Sequence, residues 1–526
     1  MRFAFLFLAS LFVGVAARAD DPANLTVDRH AGTLRLRSIF VNPERNLEIF
    51  GTHVSGPDHE TLVQFFAEGP EIYAALLEIG ARPPAFWNAT SDDDLRRVLG
   101  DRFVIFLQWE SAGEVRELPA EKVLVESGTG FLAFVRGFTF GSEKVLIGDP
   151  PEKRIPRVVE ITIGDPTRQG SVHSLLFHPK DIAAITPWLP PLEMNTQVLG
   201  DLRKLVEEQT RCTLILRRVA GEVEILGIAR QYEKEARARE FLDTLLPVAR
   251  EIDMLKKEHV ARVERIQAIL AAVEHADVPI DVEERKRAEL QDELRRGSVT
   301  VALIWERYLE LYSRQEGFKV AELRQRQQLS AAELERAVNS YEHGLKTELA
   351  IARVSLHQTL IEHAYENETQ LVKIKRAIFW AERKLKEERA RLEELRVEEG
   401  DENCYHCQLF EEVVLKRAAE IRFLGAQQLL LTSLSQEYRL RVEGSWESKK
   451  SEILGGRSRA LAGIELANRE FDKVQLLSDI RWTRNFLGDG DRSEDELLKL
   501  EKTLQDFEDR LQDVEREIEA RRKSRP

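Results

Sequence analysis

The run Gly400-Asp401-Glu402-Asn403-Cys404-Tyr405-His406-Cys407 ends in a C-x-x-C pair, the most chemically capable spacing in the chain. Cys404 and Cys407 can close a local disulfide, supply thiolates to a tetrahedral zinc shared with a second tip, carry thiol-redox chemistry, or sit there without a role. Redox chemistry asks for a C-x-x-C at the start of a helix in a compact α/β fold that lowers the first thiol's pKa. Covalent haem attachment asks for histidine directly after the second cysteine, where this chain has Gln408. The disulfide leads these readings, with zinc as the candidate cofactor behind it.

His59-Glu60 is the second candidate, with His53 and Asp58 close by in sequence, because imidazole and carboxylate together suit zinc or a similar ion. The same pair can cap a turn and hold two strands in register, and no H-E-x-x-H spacing accompanies it, so a structural role is the stronger expectation. His173 and His178 flank the apolar Leu175-Leu176-Phe177 and read as structural, and Cys212 reads as a small buried apolar side chain. No nucleophile elbow, Walker loop or complete dinucleotide fingerprint occurs, so no catalytic residue is assigned.

A C-x-x-C at a tip needs a turn between two long helices, and the flanking sequence supplies both. Leu371, Ile374, Ile378, Ala381, Leu385, Glu388, Leu392 and Leu395 alternate steps of three and four, an a/d seam; Leu497, Leu500, Leu504, Phe507, Leu511, Val514 and Ile518 make another. Gln408 to about Arg484 is apolar at helical spacing with a kink expected at Gly455-Gly456. Ala229 to about Glu274 reads as one helix, and Val282 to Glu399 as a very long helical region with weak points at Gly297, Gly317 and Gly344. No proline interrupts the chain between Pro279 and Pro526. The expectation over 230–526 is therefore a long antiparallel coiled-coil region with its hairpin tip near 400–408. Protein partners, and homo-oligomerisation, are expected through the seams.

Most prolines fall at or before Pro191, and the composition changes with them. Residues 20–190 read as a small β-rich domain with strands at Leu34 to Phe40, Asn46 to Phe50, Phe103 to Trp109, Phe131 to Phe140 and Val158 to Ile163. Pro70 to Gly80 reads as one helix, with proline at its start and glycine at its stop. Residues 191–229 form a connector in which Cys212 to Ile228 is either a hairpin or a buried helix. The expected fold class is α+β: a small β-rich N-terminal domain followed by a long all-α antiparallel coiled-coil region.

Met1-Arg2, the apolar stretch Phe3 to Ala17 and Ala17-Arg18-Ala19 before Asp20 read as a signal peptide over 1–19. The mature protein is then exported to a periplasm, the cell envelope or beyond, with no integral membrane span after signal cleavage. At 526 residues the chain has room for several domains, and 91 acidic against 77 basic side chains argues against a nucleic-acid partner.

Several stretches carry a family likeness: Val27-Asp28-Arg29 before the first strand, His59-Glu60-Thr61-Leu62, Ile72 to Gly80, Trp109 closing a strand, and Gly141-Ser142 after an aromatic strand. Over about 26–185 the chain resembles the YdjY-type domain of exported bacterial proteins. The resemblance implies an exported α+β module without assigning it a reaction. Some members carry a ferredoxin-like label, which fails here because no cysteine precedes Cys212. The sequence thus predicts an exported non-enzymatic scaffold or adaptor; the alternative is a metal- or thiol-dependent protein using Cys404 and Cys407.

Overall fold

The computed structural model describes residues 23–41, 49–54, 61–82, 85–86, 100–111, 113–126, 134–140, 145–146, 192–194, 210–273, 280–326, 330–399, 405–487 and 494–523. His59, Glu60, His173, His178, Cys404 and the expected strand at 158–163 lie outside them. The strands in chain order are β1 (Leu25–Asp28), β2 (Thr33–Phe40), β3 (Ile49–His53), β4 (Thr61–Phe65), β5 (Ala85–Phe86), β6 (Arg102–Ser111), β7 (Glu114–Pro119), β8 (Leu124–Glu126), β9 (Phe138–Thr139), β10 (Val145–Leu146), β11 (Leu192–Met194) and β12 (Arg211–Val219). The main sheet runs β3-β4-β2-β12-β6-β7, with β1 paired to β2 and β9 to β6; β5 with β10 and β8 with β11 form two small pairs.

The centre of the sheet is β12, antiparallel to both neighbours, with Leu214 opposite Leu36 on one side and Leu107 on the other. The expected β-rich domain ends at 190, with 191–229 a connector, hairpin or helix. The sheet instead takes its central strand from that connector. A strand covered on both faces reads as a continuous apolar run, here Leu214-Ile215-Leu216, without the alternation that marks a half-exposed strand. After Gly221 the chain turns into a helix, α2, rather than a second hairpin strand.

Helix α1 (Gly69–Glu78) forms where expected, with proline in its first turn and Gly80 at φ +77° beyond its end. It buries Ile72 and Leu76, with Ile79 just past its end, in one cluster with Phe103, Ile105 and Leu107 of β6. Strand alternation sends Arg102, Val104 and Phe106 to the opposite face, where Phe106 meets Tyr232 at 6.0 Å between ring centres. Of the strand expected over 131–140, only Phe138–Thr139 pairs with β6. Gly137 sits at φ +65° with the Phe103 carbonyl oxygen 2.7 Å from where a Cβ would stand, so the chain bends there instead of extending.

The helices continue as α2 (Glu222–Tyr232), α3 (Ala236–Thr244), α4 (Leu246–Val273), α5 (Ile280–Arg326), α6 (Ala331–His343), α7 (Leu345–Glu399), α8 (Tyr405–Val442), α9 (Trp446–Leu487) and α10 (Glu494–Lys523). The single helix expected from Ala229 to Glu274 is broken after Tyr232, where the Glu233 carboxylate accepts the Lys234 and Glu235 N–H groups at 3.0 and 3.3 Å. Pro247 then stands in the first turn of α4. Of the three glycines expected as weak points only Gly344 separates two helices; α5 runs through Gly297 and Gly317. At Gly317 the missing side chain admits the Tyr341 hydroxyl, 3.1 Å from a would-be Cβ. Likewise α9 runs through Gly455-Gly456. The break falls at Gly444, φ +72°, where the Ser445 N–H returns to the Leu440 carbonyl at 2.9 Å.

Contacts divide the chain into two units, Met1–Leu356 and His357–Pro526, with the boundary inside α7. In the first, α4 and α5 run antiparallel, tied by Arg262–Glu293 at 2.6 Å and Arg307–Glu251 at 2.9 Å. In the second, α7, α8, α9 and α10 each run antiparallel to the next, as Arg417–Glu388 at 3.2 Å, Arg481–Glu412 at 2.8 Å and Lys473–Glu515 at 2.6 Å record. Every position of the seam from Leu371 to Leu395 is buried or half-buried. Its one charged member, Glu388, is the partner of Arg417.

Candidate functional site

A buried network of ionisable groups lies in the first unit, between β6 and the helices α2 and α5. Arg102, at the start of β6, is 1% exposed. Its Nε donates to Glu222 Oε1 at 2.7 Å, and its two terminal nitrogens donate to the Thr139 hydroxyl and the Arg136 carbonyl. The Tyr308 hydroxyl donates to the same Glu222 oxygen at 2.6 Å, and the Arg102 guanidinium lies 5.7 Å from the Tyr308 ring centre. Glu222 is the first residue of α2, where a carboxylate also meets the positive end of the helix.

Arg136 extends the network. It donates to Gln315 at 2.6 Å and to Glu316 at 2.7 Å, one turn along α5 from Tyr312, whose ring centre is 5.0 Å from its guanidinium. Glu316 also pairs with Lys319. Glu121 accepts the Arg136 and Gly137 backbone N–H groups at 3.0 and 2.8 Å, so the bend at Gly137 is held by a fully buried carboxylate. Lys122 pairs with Glu233 at 2.8 Å beside it. The start of α2 is capped by Asp253 of α4, which accepts the Glu222 N–H at 2.7 Å and the Val223 N–H at 3.1 Å.

Burial raises the carboxyl of Glu121, against the opposing pull of its backbone N–H bonds and of Lys122, and raises Asp253 as well. Burial alone would lower Arg102, but the Glu222 carboxylate overcomes it and raises the guanidinium further. Tyr308 is pushed far up by burial and by Glu222, and Tyr312 to about 12. Lys256, whose ammonium donates to the Gly100 carbonyl at 2.8 Å, is lowered to about 8 by burial and by Arg102. In this cluster guanidinium meets carboxylate and tyrosine away from water, which suits fastening a sheet to a helical shaft. The ring stack of Phe241 on Phe318, 4.2 Å between centres, completes the apolar side of that junction.

None of these residues stands out in the sequence as a site. Only Tyr308 and Tyr312, one helical turn apart among charges, carried a trace of the network. Of the expected site residues, Cys407 is 1% exposed and packs against Leu392 and Leu395 of α7, with Phe410 and Val414 beside it. Its partner Cys404 and the pair His59 and Glu60 lie outside the described residues. His53 is buried on β3, 3.4 Å from Glu68 and edge-on to Phe65. Cys212 lies in the sheet core, where burial pushes its thiol well up.

No group of three or more histidine, cysteine or acidic side chains among the described residues is placed to hold a metal. No helix among them is long and apolar enough to cross a membrane. The chain matches no protein family, no curated protein and no solved structure, so the likeness to YdjY-type domains gains no support there.

Proposed function

We propose that this chain is an exported, non-enzymatic scaffold or adaptor that presents a β-rich module on paired helices and acts through protein–protein contacts. The observation that carries this reading is the outer face of α7. Ile361, Tyr365, Val372 and Phe379 are each more than half exposed on a helix of 55 residues. Large apolar side chains aligned on one helix face and left in water are the usual mark of a surface that another protein covers. The charge network at Arg102 fits the same reading, since it secures the sheet to its helices rather than opening a pocket around a reactive atom.

A photo-crosslinking residue at Val372 of the full chain, in its native host, tests the proposal against the same residue at the exposed Ser448 of α9. The expected result is a discrete protein adduct at Val372 and none at Ser448. No adduct at Val372 would overturn it, and stoichiometric zinc lost on Cys404→Ala would then favour the metal- or thiol-dependent reading.

A further inference from the structure

Within the unit His357–Pro526, α7 carries two apolar stripes. The seam from Leu371 to Leu395 is covered by α8. The second stripe, turned from it by about a third of the helix circumference, consists of Ile361, Tyr365, Val372 and Phe379 at exposures of 56, 73, 60 and 60%, with Trp380 beside it at 50%. Steps of four, seven and seven keep these residues on one line, one apolar side chain for every two turns of the helix.

Two further observations lie along the same face. Glu362 and Glu368 border the stripe before Thr369, Glu368 being paired with Arg439 of α8, whereas Lys375 and Arg376 border it after, so the stripe is flanked by acidic side chains at one end and basic ones at the other. A groove of about 280 Å³ opens beside the acidic end, lined by Leu360, Ile361, Ala364, Tyr365, Tyr438 and Val442 among others.

We propose that α7 pairs with the α7 of a second copy of this chain, antiparallel, about a two-fold axis near residue 370. The inference rests on the scaffold reading and names its partner. A stripe with an acidic and a basic half is complementary to itself only when reversed. Antiparallel pairing sets Glu362 of each copy against Arg376 of the other, whereas parallel pairing would stack Glu362 on Glu362 and Lys375 on Lys375. The same reversal carries Phe379 of each copy to Ile361 of the other, at the mouth of the groove, which a phenyl ring can fill. Because the axis repeats both contacts, the stripe and the groove are closed by one self-complementary patch used twice, and the assembly stops at two. From Ile361 to Phe379 the paired stretch spans about 27 Å of helix.

The full-length protein is compared with Glu362→Arg, Arg376→Glu, the double charge swap, and Phe379→Asp by sedimentation equilibrium, with helical circular dichroism confirming the fold of each. The proposal expects a dimer, weakened at least about tenfold in Kd by each single charge reversal and by Phe379→Asp, with the double swap restoring it. A wild-type chain that stays monomeric at about 50 µM overturns the pairing. So does a dimer whose charge reversals are not rescued by the double swap. If the chain is monomeric and yet Val372 crosslinks to a different protein, this inference fails while the scaffold reading stands; if Val372 crosslinks to nothing, both fail.

Discussion

Arg102 is a full positive charge in the interior, and its surroundings explain how it is held. One carboxylate, one hydroxyl, one carbonyl and one aromatic face meet its guanidinium. Removing one member of such a buried pair leaves the other uncompensated, which costs about 3–5 kcal/mol, whereas replacing both by apolar groups is often near neutral. Arg102→Met is therefore expected to lower the urea midpoint sharply, and Arg102→Met with Glu222→Leu to recover most of the loss. A double variant no more stable than the single one would show that Glu222 does not depend on Arg102. Lys256 offers a test by pH. Its pKa, lowered to about 8 by burial and by Arg102, against Glu222, Asp101 and Asp253, lies below the ordinary lysine value of 10.5. Between those values the unfolded chain binds the extra proton, so the contribution of Lys256 to stability rises with pH through that window. Unfolding measured from pH 8 to 10.5 should show the wild type gaining on Lys256→Met; a constant difference would remove Lys256 from the account.

At the scale of elements, two glycines decide how helices meet their neighbours. A Cβ at Gly221 would stand 2.1 Å from the Asp253 carboxylate that caps α2. Gly221→Ala is expected to displace that carboxylate and cost about 1–2 kcal/mol, as Asp253→Ala should. The two substitutions are expected not to add, because each destroys the same cap, and additive losses in chemical denaturation would refute the shared mechanism. In α9, Gly456 is buried with Ser433 Oγ of α8 3.2 Å from a would-be Cβ, while Gly455 has only the end of Arg459 nearby at 3.7 Å. Gly456→Leu should lower Tm by overpacking worth about 1–3 kcal/mol. Gly455→Ala should raise it, since alanine is favoured over glycine in a helix by about 1 kcal/mol. Equal effects at the two sites would mean that α8 does not approach α9 at Gly456.

At the scale of the molecule, contacts gather into Met1–Leu356 and His357–Pro526, so damage to the Arg102 network should stay within the first unit. Hydrogen exchange on Arg102→Met is expected to show faster exchange in β6 and α5, with α8 and α9 unchanged. Loss of protection in α8 and α9 as well would mean that the two units unfold as one.

The amino-acid order by itself specified the helical arms, because an a/d seam is a local periodicity. The seam residues from Leu371 to Leu395 and from Leu497 to Ile518 are buried or half-buried in α7 and α10 for that reason. Strands β2 and β6 and helix α1 were legible in the same way, from apolar runs with glycine and proline at their ends. Long-range pairing was not. Nothing local distinguishes β12 as the centre of a sheet whose other strands lie up to nearly two hundred residues earlier, nor Gly456 as a place where two helices touch rather than a kink. The network around Arg102 is the extreme case: it joins β6, the Gly137 bend, α2 and α5, and a charge in a sequence reads as solvated until the fold removes the solvent. Periodicity along the chain set the elements, whereas burial, which depends on everything packed around a residue, decided which charges became part of the core.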